Sequence, residues 1–458
     1  MMNSEDSFKM DYVILPITGV LITLLAGFFL PNTAYLIILI LPLALLALIY
    51  SWFNPYMFIL ILLAIIPLDS LVALPEAIRK LSLFKLLFPI PVAILCLGLV
   101  IRRFSFLQLN FLDIAIIGWT LLNLFLVPLS VDTDAALDFC RRFVSMSLFY
   151  FLVTRFMYLP KRTMQVINVV FYSTIISVII GTFSYLSGSN PFSMYVDPTL
   201  VRATGGSSLD PNSYAASLFL PLWLAMAFVV HKSGKKHKYV FLVFFGLLLT
   251  GILTTYSRSA FLCLSLMFLL ALFIWKKRLT PVHFIIFLLI FICILPLLPS
   301  DYIERIVTLK QLFSSDQSDT SLIRRANYIT VGWNIIKEYP IFGAGPGNFA
   351  VLHAKAAFQP NMALIGIERL PHNLFLQVAS ETGLFGIFFF TVTIFCAYRS
   401  LIPSMKSDHP ASSFSAATFI SLSGLLFMGL FLHMLQAKTF WLVLIFARLL
   451  PGMWSWKH

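Results

Sequence analysis

The chemistry this sequence could perform rests on histidine and arginine. His372 and Asn373 follow Pro371 at the start of an apolar stretch that also holds Glu381, Gly383 and Gly386. In the first turn of a helix an imidazole feels the positive end of the dipole, which lowers its pKa and favours the neutral base. The alternative is an interfacial histidine whose hydrogen bonds are already met. A carboxylate such as Glu381 in strongly apolar sequence is a functional-site candidate by default. Gly383 and Gly386 share a face that another helix can approach closely.

Arginines stand at breaks between apolar runs. Arg258 lies in Thr254-Thr255-Tyr256-Ser257-Arg258-Ser259, and Arg202 precedes Gly205-Gly206 and Asp210-Pro211-Asn212. Thr320 or Ser321 can cap a helix running to about Glu338, where Pro340 stops it. Leu322, Ala326, Ile329, Trp333 and Ile336 follow helical spacing, so this helix is predicted to be amphipathic and to lie against the membrane or the bundle. Arg325 sits on that stripe, whereas Arg324 points about 100° away. An inward arginine needs an anionic partner, either a ligand or a salt-bridging neighbour. Arginines at several helix ends could converge on a phosphate or diphosphate, for which the guanidinium fork is suited, or could each anchor a helix to lipid headgroups.

Gly343-Ala344-Gly345-Pro346-Gly347-Asn348 permits a close backbone approach or an anion-binding nest, and a plain tight turn fits equally. No Lys-Ser/Thr follows, so it is not a P-loop, and neither GxSxG nor HExxH occurs. Asp132-Thr133-Asp134 reads as dipole stabilisation of a helix start. Nothing near His353 or His433 has ligand spacing. The five cysteines, with no CxxC pair, read as small hydrophobes. No metal and no cofactor is expected.

The elements that must position these residues are set by composition. Of 458 residues 60% are apolar and 11% charged, against about a quarter charged in soluble domains. That excludes a cytosolic globular enzyme, a disordered chain and a disulfide-built secreted module. Continuous rather than alternating apolar runs exclude an outer-membrane barrel. The expectation is an all-α polytopic transmembrane bundle of about 12–14 spans, at 13–30, 34–50, 55–73, 83–101, 111–130, 143–158, 165–187, 213–231, 239–256, 259–275, 280–299, 372–398, 411–433 and 437–450. The start, Asn3 to Asp11, lacks the basic flank of a cleavable signal. With the N-terminus cytoplasmic, Arg102-Arg103, Lys161-Arg162, Lys232 to Lys238, Lys276-Lys277-Arg278, Arg399 with Lys406, and Lys457 fall in every second loop. The net charge of +13 is therefore a topology signal rather than a nucleic-acid surface. The opposite face carries the polar segments 188–212 and about 300–371. The whole chain, 1–458, reads as one integral-membrane domain with 300–371 as a large inserted loop containing amphipathic helices.

These residues resemble the bacterial O-antigen ligase and polymerase superfamily. Its motif is His followed by Asn, Ser or Gln, nine residues, then GxxG; here His372-Asn373, Leu374 to Thr382 and Gly383-Leu384-Phe385-Gly386 fit it. Pro340-Ile341-Phe342-Gly343-Ala344-Gly345 is similar to the family's Pro-x-Phe-Gly-x-Gly element. Ser257-Arg258 is similar to its arginine at a helix break, Arg325 to its loop arginine, and Arg202 with Asp210-Pro211-Asn212 to a further element. The resemblance covers about residues 200–390 well.

It implies transfer of a glycan from an undecaprenyl-diphosphate carrier to an acceptor hydroxyl, on the periplasmic face of a bacterial inner membrane and without metal. His372 would be the base, and Arg258 and Arg325 would grip the diphosphate. Arg202, Arg324, Asn373, Glu381, Gly343 and Gly345 complete the expected substrate-binding set. The implied partners are the lipid-linked donor, a lipid A-core or glycan acceptor and membrane lipids, with no nucleic acid. A ligase acting on lipid A-core is the leading expectation. A repeat-unit polymerase uses the same chemistry with another acceptor. A flippase would place its charges near the bilayer midplane rather than at the outer helix ends.

Overall fold

The structure is a computed structural model, and it describes residues 49–50, 52–69, 82–101, 108–187, 193–197, 200–205, 208, 210–231, 235–276, 320–406, 409 and 411–454. Apolar runs become helices where proline or a polar cap sets their start. In chain order these are α1 (Pro55–Ile65), α2 (Leu83–Leu87), α3 (Pro89–Val100), α4 (Phe111–Leu126), α5 (Thr133–Met157) and α6 (Pro160–Ser187). A hairpin, β1 (Ser193–Asp197) paired antiparallel with β2 (Leu200–Ala203), leads to α7 (Pro211–Ser217), α8 (Phe219–Val230), α9 (Lys235–Leu253) and α10 (Arg258–Trp275). After them come α11 (Thr320–Glu338), α12 (Phe349–His353), α13 (Leu374–Ser404), α14 (Ser412–Met428) and α15 (Lys438–Leu449).

The architecture is all-α and polytopic, with the hairpin as a small addition at 193–203. Among the described residues six helical stretches are long and apolar enough to cross a membrane: Leu83–Val100, Phe111–Leu129, Pro160–Ser187, Pro211–Val230, Arg258–Trp275 and Leu374–Ser404. Pro55–Leu68, Lys238–Leu253 and Ser412–Met428 are shorter apolar helices. The expected spans at 13–30 and 280–299, nearly all of 34–50, and the loop segment 300–319 lie outside the described residues.

The core is centred on α8 and α14, which pack against each other and are buried nearly all round. Trp223 of α8 meets Phe245, Phe268 and Trp275 at ring-centroid distances of 5.3 to 6.3 Å, so α8, α9 and α10 share one aromatic seam. Helix α13 runs along α4, and Trp119 stands edge-on between Phe143 and Phe390 to join α4, α5 and α13.

One buried carboxylate ties three helices. Asp113 forms a capping box with Asn110 at the start of α4. Its oxygens also accept from Tyr150 Oη at 2.7 Å and from Arg448 Nε at 2.9 and 3.1 Å, linking α4 to α5 and α15. Asp69 does the same at another corner: it accepts from Phe84 N at 2.9 Å and pairs with Lys438.

Helix α11 forms where expected but turns differently. Tyr328, Val331 and Ile335 are its buried face, while Ile329 and Trp333, expected on the packed stripe, are more than half exposed. Both faces carry apolar residues, so spacing alone did not decide which one meets protein. Arg325 stands on the boundary between them, one turn before Tyr328.

Removing Asp113 leaves Tyr150 Oη and the partly exposed Arg448 Nε without their acceptor, a loss of about 1–3 kcal/mol. Asp113→Ala is expected to lower the thermal midpoint of the detergent-solubilised protein markedly, and an unchanged midpoint would show that the pair is not a tie.

Candidate active site at the helix ends

The break between α9 and α10 is a tight turn. Thr255 N donates to Ile252 O at 3.2 Å and Tyr256 N to Leu253 O at 3.0 Å. Tyr256 then takes φ 49°, and Ser257 caps α10 by accepting from Ala260 N. Arg258 is the first residue of that helix. Asn212 holds the turn from outside: its Oδ1 accepts from Ser257 Oγ at 2.7 Å and from Arg202 Nη2 at 3.1 Å. Arg202 also donates through Nε to Thr255 O at 2.7 Å, and Ala203 N donates to Thr254 O at 3.0 Å. Arg202 is buried, so this arginine acts as a brace that fixes where Arg258 begins.

His372 lies just outside α13 rather than in its first turn. Asn373 is the N-cap: Leu376 N donates to its Oδ1 at 2.9 Å, and its Nδ2 donates to Leu430 O at 3.2 Å. Asn373 therefore fastens the start of α13 to the segment after α14, and Leu374 N reinforces the tie by donating to Gly429 O at 2.6 Å. His372 itself has φ 44°. Its ring stacks on Tyr328 of α11 at 5.7 Å and meets His433 edge-on at 5.2 Å. Arg325 places its Cζ 5.4 Å from the ring centre of Phe431.

Electrostatics connect these groups. Burial lowers the His372 pKa below its usual 6.5; Asp210 opposes that, and Arg325, Arg324 and Arg369 add to the lowering. Burial pushes His433 down to about 4, with His372 lowering it further and Asp210 again opposing. Asp210 caps α7 by accepting from Ser213 N at 2.7 Å. It lies two residues before Asn212, so the arginine brace and the imidazole pair belong to one neighbourhood. Among the described residues Tyr256 and His372 are the non-glycine residues in the left-handed region. For bulky side chains that conformation costs on the order of 1–3 kcal/mol and collects at functional sites. Each here sits beside one of the motifs singled out by sequence.

The glycine run is a docking strip. Gly343 N donates to Tyr339 O, Ala344 N to Ser380 O and Gly345 N to Glu381 O, at 2.9 to 3.1 Å. Those N–H groups are already engaged by carbonyls, so of the alternatives the close backbone approach is the one adopted. It meets α13 at Gly383, which interrupts the helix at φ 59°, ψ −154°. A Cβ on Gly383 would lie 2.4 Å from Ile341 O, and one on Gly343 2.4 Å from the Glu381 backbone. The Glu381 carboxylate accepts from Gln377 Nε2 at 3.2 Å and Phe349 N at 3.4 Å, and faces Gly347 N–H. It secures the strip to α13 and borders a cavity of about 710 Å³ between α5, α13 and residues 433–439.

His353 is a satisfied core histidine: Nδ1 donates to Ile367 O at 2.8 Å, and Nε2 accepts from Gln359 Nε2 at 3.1 Å. Asp132 caps α5. Among the described residues no group of three His, Cys, Asp or Glu side chains is placed to hold a metal ion. The structure thus gathers Arg325, Arg324 and His372, places Arg258 on the braced turn, and gives Arg202, Asn373, Gly343, Gly345 and Glu381 positioning contacts. Sequence reading missed Tyr328, Arg369 and the pairing of His433 with His372, and it quoted Asp210 and Asn212 without their roles. Asp210-Pro211-Asn212 was the one visible signal among these.

Gly383→Ala is expected to cost several kcal/mol, because both its φ and its lack of space forbid a side chain. Gly246, inside α9 with nothing within 4 Å of its would-be Cβ, is the control. Gly246→Ala should leave the thermal midpoint unchanged or slightly raised, and equal effects of the two substitutions would contradict the strip.

No curated protein of established function matches the chain. Residues 242–391 match the family model described as O-antigen ligase. That stretch contains Arg258, Arg325, Gly343, His372 and Gly386, while Arg202, Asp210, Asn212 and His433 lie outside it. Over residues 242–391 the chain is thus similar to the O-antigen ligase family.

Proposed function

We propose that the chain is an O-antigen ligase-type glycosyltransferase of the bacterial inner membrane, with its site facing the periplasm. It moves a glycan from undecaprenyl diphosphate to a hydroxyl of lipid A-core. The observation that carries this reading is a half-buried imidazole beside two arginines, on a strained turn, within the matched segment.

His372 accepts the proton of the acceptor hydroxyl as its oxygen bonds to the anomeric carbon of the donor sugar. The bond from that carbon to the diphosphate oxygen breaks, and its electrons leave with undecaprenyl diphosphate. Arg325, beside the imidazole, and Arg258, on the turn braced by Arg202 and Asn212, bind the diphosphate and stabilise the charge that develops as it departs. Diphosphate is already a stable anion, so the leaving group needs little acid help. Arg324 contributes positive potential at the mouth. Asn373, Glu381, Gly343 and Gly345 hold the base and its surroundings in place.

His372→Ala and Arg325→Ala are each expected to cut transfer at least 100-fold, the scale of a lost base or charge stabiliser, with the protein still inserted. Lipid-linked precursor should accumulate, and normal lipopolysaccharide from a His372→Ala strain would defeat the assignment. In a deletion strain, full-length polymer stranded on undecaprenyl diphosphate marks a ligase, whereas single repeat units on core mark a polymerase.

The pH profile has a definite sign. A base must be neutral, and the fold lowers the His372 pKa below 6.5, so the acid limb of kcat/KM should fall below pH 6.5. Arg324→Ala removes one of the lowering charges and should move that limb upward. A limb above pH 6.5 in the unmodified protein would contradict the assignment.

A further inference from the structure

The cavity of about 710 Å³ lies beside the arginine and imidazole cluster but has a different character. The starts of α5, α13 and α15 form its walls, through Asp138 and Arg142, Gln377 and Glu381, and Lys438. His433, whose ring meets His372 edge-on, lines it too, so the cavity reaches the imidazole pair. Its size is within the roughly 300–1,000 Å³ of ligand-binding clefts.

Its polar groups ask for hydroxyls. Gln377 is 4% exposed, and its Nε2 donates to Glu381, which fixes the amide orientation. Its Oε1 is left buried with no hydrogen-bond partner, and so is His433 Nδ1. Buried polar atoms without partners are rare in folded chains, and two on one cavity wall call for an occupant that supplies them. An amide oxygen can only accept, whereas a hydroxyl both donates and accepts and so meets His433 Nδ1 in either tautomer. The charges argue against an anion. Arg142 is paired with Asp138 and Lys438 with Asp69, while Glu381 adds a carboxylate to the wall.

We infer that this cavity is the acceptor chamber, holding the neutral, hydroxyl-rich saccharide end of the acceptor through Gln377 Oε1 and His433 Nδ1. The inference rests on the transfer reading above, to which it adds where the acceptor binds and which side chains hold it. Diphosphate and saccharide are thereby sorted to separate places beside the imidazole pair. Gln377 and His433 are positioning residues that present a hydroxyl to that base.

The test uses the full-length protein in nanodiscs and saturation-transfer NMR with D-glucose, D-galactose and N-acetyl-D-glucosamine. At least one sugar should bind and should resist displacement by sodium pyrophosphate. Gln377→Met and His433→Phe should each weaken binding at least tenfold, while Gln377→Glu, which keeps an acceptor oxygen, should retain it and so separate lost recognition from lost fold. In a transfer assay the same two variants should raise KM for the acceptor with the donor KM unchanged. No sugar signal, displacement by pyrophosphate, or full binding by Gln377→Met would overturn the chamber. Sugar binding that persists in a protein without transfer activity would instead leave the chamber standing and overturn the transfer reading.

Discussion

A guanidinium and a neutral imidazole make useful neighbours. Positive charge near a histidine disfavours its protonation, so the arginines suited to an anionic leaving group also keep the base ready for a proton. Burial works in the same direction at His372, where Tyr328 covers one ring face and His433 meets the ring edge-on. Asp210 opposes both effects. The rest of the site serves this balance by fixing where the groups stand.

The fixing is done by backbone contacts and by two asparagine side chains. Asn373 and Gly429 hold the start of α13, the glycine strip locks that helix at its kink, and Asn212 draws the β2 arginine and the Ser257 turn onto one oxygen. Two left-handed residues result, Tyr256 and His372, whose strain the surrounding contacts sustain. Elsewhere in the bundle, Asp113 ties α4 to α5 and α15, and Asp69 joins α2 to the start of α15. A few satisfied polar junctions within an apolar bundle thus convert helix packing into the placement of charge.

Much of this was legible in the sequence. Uninterrupted apolar runs and proline or polar caps located the helices, because length and hydrophobicity leave few other solutions for such segments. The His372-Asn373 and Gly383-Gly386 spacing marked α13, and the arginines stood where apolar runs broke. The buried face of α11 was not legible, since Ile329 and Trp333 on one side are as apolar as Val331 and Ile335 on the other. Nor was the partnership of His372 with His433, which tertiary packing creates between segments with no shared local pattern. The Glu381 carboxylate stood out for its apolar setting, yet its contacts show a clamp on backbone N–H groups and on Gln377. Gly343 and Gly345 were visible as a special turn, but only the path of α13 shows what approaches them.

The central claim is that Arg258 and Arg325 grip a diphosphate on one side of the His372 imidazole. The most direct measurement is a cryo-electron microscopy map of the protein in nanodiscs with undecaprenyl diphosphate bound. The account predicts phosphate density within hydrogen-bonding distance of both guanidinium groups, with the His372 ring facing the terminal phosphate. Density held elsewhere, out of reach of residues 258 and 325, would contradict it.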